Sequence, residues 1–148
     1  MLSERTYLGA RVEFLYDAVT DLDYRVTPSL LLGTYLVKND TTSFALEVGP
    51  SFTWEEQAGA TDEYFGVSFG QRFTHEVSDR VSLWQSARLN LDVDNTDNWV
   101  VDASAGLDVG ISESLSIRTS VGNIYDNEVP AGVEENDFRL TTGLVLSF

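Results

Sequence analysis

The chain has 148 residues, 43% of them hydrophobic and 11% aromatic, and this length predicts one domain over residues 1–148. Its 24 acidic and 9 basic residues give a net charge of −15, which argues against a nucleic-acid partner because polyanion binding needs clustered Lys and Arg. No stretch approaches the roughly 18 consecutive apolar residues of a membrane helix, so the sequence excludes helical membrane spans.

An alternation of apolar and polar residues with period two resolves into eight segments of about 11 to 14 residues, the length of a tilted membrane strand. The predicted strands are 7–17, 24–37, 42–54, 64–76, 80–93, 98–111, 114–126 and 137–148. Short connections at 38–41, 77–79 and 112–113 alternate with longer ones at 18–23, 55–63, 94–97 and 127–136. This pattern is typical of an antiparallel up-and-down transmembrane β-barrel with both termini at the short-turn, periplasmic side.

The last predicted strand shows its two faces clearly. One face carries Phe138, Leu140, Thr142, Leu144, Leu146 and Phe148, and the other carries Arg139, Thr141, Gly143, Val145 and Ser147. Glycines concentrate on the polar faces, which indicates crowding there. An eight-stranded barrel encloses only enough space for side chains, and the apolar face is too bulky for it. We therefore expect the apolar face to point outward, the alternative being a soluble lipocalin-like barrel.

With the polar face inward, ten charged residues form a predicted lumen charge network. They are Arg11, Glu13, Arg25, Glu47, Arg72, Arg88, Asp102, Asp108, Arg118 and Arg139. Buried charges are tolerated only when they are paired and hydrogen-bonded, so we expect these groups to pair across the lumen. Together with Trp84, Tyr35 and Tyr64 they should fill it and leave no open water channel.

Two prolines, Pro28 and Pro50, fall inside neighbouring predicted strands, where each lacks a ladder donor. The sequence leaves two interpretations open: a bulge or weakened pairing between these strands, or an edge or seam of the sheet.

Acidic residues crowd the loop end. They are Asp17, Asp21, Asp23, Glu55, Glu56, Asp62, Glu63, Asp92, Asp94, Asp97, Asp126, Glu128, Glu134, Glu135 and Asp137. A solvated acidic rim is the favoured interpretation, and a divalent-cation surface is the alternative. The segment from Asp92 to Asp97 matches part of a calcium loop, but Asp97 stands where Gly is required and Ala103 where Glu is required. The sequence thus predicts no metal site and no cofactor.

The sole histidine, His75, tests whether the chain is an enzyme, because outer-membrane enzymes of this architecture use His with Ser, Asp or Glu. It lies at the short-turn end on the lipid-facing phase, away from the acidic loops, so we expect an interfacial residue and no catalytic site. Aromatic residues near both ends predict interfacial girdles. Those near the loops are Tyr16, Tyr24, Trp54, Trp99 and Tyr125, and those near the turns are Phe44, Phe73 and Phe148.

The final strand ends in an alternating apolar segment with a terminal aromatic residue, which resembles the carboxy-terminal signal of outer-membrane barrels. The resemblance implies that Leu144, Leu146 and Phe148 form an assembly signal for the barrel-assembly machinery and periplasmic chaperones. An edge strand that happens to end at Phe is the alternative.

A wider resemblance covers the last ~35 residues, as judged by the alternation of apolar and polar residues that membrane strands show. The segment Tyr125-Asp126-Asn127, the Pro/Gly loop around Pro130 and the strand Asp137–Leu144 are similar to the closing hairpin of the uncharacterised salt-induced outer-membrane protein family. Glu47-x-Gly49-Pro50-x-Phe52 is similar to a segment earlier in that family's domain. The resemblance implies a barrel but no reaction. Family members are longer, so a short relative, an excised part and a redesign all stay open.

These observations predict a non-enzymatic bacterial outer-membrane β-barrel with an envelope structural or surface-contact role. We expect it to be monomeric, with outer-membrane lipid or detergent as its partner. The chain begins without the basic start and apolar core of a secretory signal, so we expect any signal to have been removed. A narrow ion or small-solute pore is one alternative function. A soluble or designed eight-stranded barrel that binds an apolar ligand is another.

Overall fold

The computed structural model describes residues 5–17, 21–112, 114–129 and 134–146. Its elements are β1 (Thr6–Asp17), β2 (Leu22–Lys38), β3 (Thr42–Gln57), β4 (Ala60–Ser78), β5 (Val81–Asp92), β6 (Trp99–Gly110), β7 (Leu115–Asp126) and β8 (Asn136–Leu146). All eight lie in one antiparallel up-and-down sheet in chain order, which confirms the predicted number, order and direction of the strands. None of the described residues forms a helix, so no helix long and apolar enough to cross a membrane is found among them.

The sheet is curled with its polar face inside. Side chains of strands that are distant in the sheet contact one another there. Arg88 of β5 reaches Glu13 of β1 at 2.8 Å, and Arg25 of β2 reaches Asp126 of β7 at 2.7 Å. The curled sheet is nevertheless not closed. Across the described ranges, β1 has β2 as its ladder partner and β8 has β7, and no register joins β1 to β8. The predicted closure of the barrel is thus not seen in this structure.

The predicted loop at 55–63 is wrong. β3 continues to Gln57 and β4 begins at Ala60, so a two-residue turn joins them. Both turn residues have positive φ, 51° at Ala58 and 75° at Gly59, the combination that a type I′ hairpin turn requires. The acidic residues of this segment hid the strands, because a hairpin with polar residues on both faces shows no apolar alternation.

The two prolines lie in a thin part of the β2–β3 ladder. Between the pairs Val26↔Trp54 and Leu32↔Val48, the register has one pair, Ser29↔Ser51. The register shifts between these strands lie elsewhere, next to Leu22 and Tyr35. β2 and β3 are also interior strands, so neither a bulge nor an edge explains Pro28 and Pro50. Weakened pairing is the interpretation that the structure supports, since each proline lacks the N–H that a ladder bond needs.

Candidate functional site

The interior of the curled sheet is polar and the exterior is apolar, the reverse of a water-soluble domain. Side chains buried inside include Arg25, Thr27, Ser29, Glu47, Ser51, Thr53 and Ser68. On the outer face, Val12 is 70% exposed, Phe14 69% and Leu144 69%. Soluble monomers rarely expose large contiguous apolar surfaces, and such surfaces mark contacts with a membrane or with another protein.

The structure places all ten charged residues of the predicted network in ion pairs. The pairs are Arg11–Glu47, Arg72–Glu47, Arg88–Glu13, Arg88–Asp102, Arg139–Asp102, Arg118–Asp108, and Arg25 with Glu55 and Asp126. They form four clusters spaced along the height of the interior. Each cluster pairs opposite charges locally, as buried charge requires, although Glu13 Oε1 and Arg88 Nε lie 2.8 Å apart without a hydrogen bond.

One cluster centres on Glu47 of β3, which is 6% exposed. Its carboxylate pairs with Arg11 of β1, lies 2.8 Å from Arg72 of β4, and accepts a 2.6 Å hydrogen bond from the Tyr7 hydroxyl. Arg72 in turn donates to the Tyr7 hydroxyl at 2.6 Å. One carboxylate therefore ties three strands together through charge-assisted hydrogen bonds.

At mid-height, Arg88 of β5 lies between two carboxylates. Its guanidinium is 2.8 Å from Glu13 of β1 and donates to Asp102 of β6 at 2.5 Å. Asn90 donates to Glu13 at 2.9 Å, while Arg139 of β8 lies 3.7 Å from Asp102. Arg139 is thus held more loosely than the other arginines of the interior.

The cluster nearest the loops contains two residues that sequence reasoning assigned to the acidic rim. Arg25, 8% exposed, pairs with Glu55 of β3 and with Asp126 of β7. The signal that could have placed Glu55 inside is its phase, because it shares the even spacing of Glu47, Ser51 and Thr53 along β3. It was missed because the strand was predicted to stop at residue 54.

Arg118 of β7 and Asp108 of β6 form the remaining cluster, as directly opposed residues in the ladder. Two parallel hydrogen bonds of 2.7 Å join Arg118 Nε and Nη2 to the two carboxylate oxygens. The Arg118 guanidinium also lies 4.9 Å from the centroid of the Trp84 ring. This bidentate geometry is the strong form of an arginine–carboxylate pair.

Hydroxyl groups bridge the interior where the β2–β3 ladder is thin. Thr27 and Thr53 share a hydrogen bond of 3.1 Å, and Ser29 and Ser68 share another of 3.1 Å. The Ser68 hydroxyl donates to Asn90 of β5. These side-chain bonds join β2 to β3 and β4 beside the prolines, so they supply cross-strand links that the backbone lacks there.

Aromatic rings cover two of the inward glycines. A Cβ added at Gly33 would lie 2.2 Å from the Tyr7 ring, and one added at Gly106 would lie 2.6 Å from the Trp84 ring. Each ring stands directly across the ladder from its glycine. The glycines therefore make room for rings that shield the backbone, a known device for keeping glycine in strands.

The predicted assembly-signal residues lie on the last strand. Leu144 and Leu146 are exposed on the outer face of β8, and Phe148 lies outside the described residues.

Aromatic residues near the loop end form packed pairs on the outer face. Phe52 packs edge-on against Trp54 with centroids 4.3 Å apart, and Trp99 stacks on Tyr125 at 5.0 Å.

His75 pairs across the ladder with Thr42, the first residue of β3, and shares a 2.9 Å hydrogen bond with its hydroxyl. Within the described ranges, the His75 ring is thus bonded to a threonine hydroxyl at the start of the neighbouring strand. Within the same ranges, no group of three or more His, Asp or Glu residues is arranged to hold a metal ion. Asp92 instead accepts backbone hydrogen bonds from Asp94 at 2.8 Å and Asn95 at 3.1 Å, which shapes the β5–β6 turn.

Two cavities adjoin on the open side. One of about 550 Å³ near the loop end is lined by residues of β1, β7 and β8, including Leu15, Ile124 and Arg139. Another of about 350 Å³ lies deeper and shares those three residues, together with Arg25. The space between β1 and β8 is therefore continuous with the interior.

Comparisons with known proteins give one match. No curated protein and no solved structure is significantly similar to the chain. A family model described as "Protein of unknown function, DUF481" matches residues 1–148, the whole length given. The chain therefore belongs to the DUF481 family.

Proposed function

We propose that the chain is an outer-membrane β-barrel in which β1 closes against β8, with a non-enzymatic envelope structural or surface-contact role. The observation that carries the proposal is the inverted burial: charged and hydroxyl side chains are buried, whereas large apolar side chains are exposed. A bilayer is the environment in which that distribution is favourable, because the outer face then contacts lipid and the inner face satisfies its own polar groups.

Strand direction also supports closure. β1 and β8 run in opposite directions, so direct pairing would continue the antiparallel order of the sheet. Closure satisfies the free backbone groups of both edges, which in hydrocarbon would each cost several kcal/mol. The strands have 11 to 19 residues, enough for a tilted strand to span a bilayer.

Under this proposal the acidic loop end faces the exterior and the short turns face the periplasm. The barrel is monomeric, its partners are outer-membrane lipids, and Leu144, Leu146 and Phe148 serve as the assembly signal. Deletion of Phe148 should then impair insertion in cells while refolding into detergent largely survives. Normal insertion without Phe148 would contradict the signal role.

The test of the barrel is electrophoretic mobility of detergent-refolded protein with and without boiling. A closed barrel resists the sample detergent and migrates differently from its boiled form. The same mobility before and after boiling, together with loss of β-structure in vesicles, would contradict the proposal. Full β-structure in buffer without detergent or lipid would favour the soluble alternative, although the ion pairs of the interior give an apolar ligand little to bind.

A narrow pore is the second candidate, and one observation favours it. The inward face of β8 is not filled: a Cβ added at Gly143 would meet no atom within 4 Å. Steady single-channel conductance of the refolded protein in planar bilayers, above a protein-free control, would favour the pore. Its absence would favour a purely structural barrel.

A further inference from the structure

The open side of the sheet has one anchored strand, β1. Its inward side chains are bonded to three other strands: Tyr7 to Glu47 of β3 and Arg72 of β4, and Glu13 to Arg88 and Asn90 of β5. These bonds are 2.6 to 2.9 Å long. Moving β1 away from the interior would break all of them, so this strand is fixed.

The opposite side of the opening, β8, is loose. Ten of its eleven residues are exposed, and the one exception, Val145, is half-buried. Its ladder partner is β7. The ion pair that links it to the interior, Arg139–Asp102, is 3.7 Å long, with Arg139 45% exposed. A strand held by one ladder and one long ion pair opens at lower free energy than a strand packed on its inner face.

We propose that β8 is a lateral gate, which swings about its ladder with β7 and is latched by Arg139–Asp102. The inference rests on the proposed function: in a bilayer the closed state pairs β8 with β1 and brings Arg139 closer to Asp102, whereas the open state is the arrangement seen here, in which that ion pair is stretched to 3.7 Å. Opening joins the interior to the surrounding lipid through the cavity between β1 and β8. Arg139 lines both that cavity and the deeper one, so the latch stands where the two meet.

The experiment measures distances between spin labels on the outer face of the protein refolded in lipid vesicles. The gate pair is Leu30→Cys with Leu140→Cys, on β2 and β8, which spans β1 in the closed barrel. The control pair is Val12→Cys with Val48→Cys, on β1 and β3, which spans β2. Both pairs bridge one strand, and all four side chains are at least 40% exposed, so the labels replace lipid-facing groups.

We expect one narrow distance population for the control pair and two populations for the gate pair. Adding Arg139→Gln should raise the longer population at least twofold. Arg118→Gln provides the matched control, because Arg118 is 43% exposed, close to the 45% of Arg139, and its ion pair with Asp108 joins β7 to β6. It should leave the gate pair unchanged.

A single population for the gate pair, unaltered by Arg139→Gln, would overturn the gate whether that distance is short or long. An equal response to Arg118→Gln would overturn the latch. Heat-dependent mobility of the same labelled proteins separates the two proposals. A heat-modifiable barrel with a static gate pair removes the gate alone, whereas loss of heat modifiability removes the barrel and the gate together.

Discussion

The first five strands and the last strand, β8, are built from the same alternation, yet they are held in different ways. Between β1 and β5, inward side chains interlock across several strands: Glu47 joins three of them, and Asn90 links the serine bridge to Glu13. In β8, the corresponding inward positions Arg139, Thr141 and Gly143 are exposed. Ladder pairing alone is therefore enough to form a strand, but contacts between inward polar side chains hold that strand to the other strands of the sheet.

This difference indicates which contacts stabilise a protein whose interior is polar and whose exterior is apolar. Large apolar side chains are exposed on the outer face in both regions, so that face does not distinguish them. What differs is the inward face, where hydrogen bonds and ion pairs are made in one region and sparse in the other. Substitutions at matched inward positions should consequently have unequal effects in the two regions.

The largest contrast is expected between Glu47→Ala and Arg139→Ala. Loss of the Glu47 carboxylate leaves Arg11 and Arg72 without their shared partner, which should lower the free energy of unfolding by about 3–5 kcal/mol. Arg139 is nearly half-exposed and its ion pair is long, so its removal should cost no more than about 1 kcal/mol. Urea unfolding of the refolded protein measures both. Equal losses would mean that the two regions are equally packed.

A second contrast lies between the two faces of β8. Leu144→Arg puts a cation on the proposed lipid face, which should cost roughly 2–4 kcal/mol near the bilayer midplane. Thr141→Arg puts the same side chain on the unfilled inward face and should cost much less. Refolding yield into vesicles is the measurement, with Leu140→Arg as a repeat of the outward substitution. Similar yields for Thr141→Arg and the two outward variants would contradict the assignment of the faces.

A third contrast uses two glycines. In Gly33→Ala the new methyl would lie 2.2 Å from the Tyr7 ring, so the ring must leave its place beside Glu47, at a cost of about 1–3 kcal/mol. Gly143→Ala meets nothing and should be neutral or stabilising by up to about 0.5 kcal/mol, since Ala restricts the unfolded chain more than Gly. Thermal or urea unfolding distinguishes them, and Gly106→Ala, under the Trp84 ring, should behave like Gly33→Ala.

The smallest effect is expected at the β3–β4 turn, within the packed region but outside its interior. Ala58 has a φ of 51°, a left-handed conformation that costs a non-glycine residue roughly 1 kcal/mol. Ala58→Asn should stabilise the protein by about 0.5–1 kcal/mol because Asn tolerates this region and Asn-Gly is the preferred type I′ pair. Ala58→Val, which is β-branched, should destabilise by a similar amount. Unchanged midpoints for both variants would mean that the turn does not limit stability.

Much of this architecture was predictable because period-two alternation is a local signal. The strands, their order and their inward residues follow from phase alone, as the last strand illustrates with Arg139 and Thr141 on one face and Leu140 and Leu144 on the other. The same logic named Arg88 and Asp102 as interior charges. Successive side chains of a strand point to opposite faces, so the assignment of each residue to a face depends only on its neighbours in the sequence.

Other features were not predictable because they depend on partners distant in sequence. Glu55 and Asp126 looked like rim residues, and only the fold shows that they meet Arg25, which is 101 positions from Asp126. The state of the β1–β8 opening is likewise invisible in the alternation, because a strand has the same pattern whether its edge is paired or free. Which arginine is held loosely also depends on how far its strand stands from the interior.

The opposite directions of β1 and β8 constrain the number of strands in the sheet to even values. A strand inserted alone between them would run parallel to one of its two neighbours, whereas a hairpin would keep every pairing antiparallel. Strands can therefore be added between the free edges of such a sheet only two at a time. Each added hairpin returns the chain to the end of the sheet from which it started. Longer proteins built on this sheet should accordingly differ from it by whole hairpins, with an even strand count preserved.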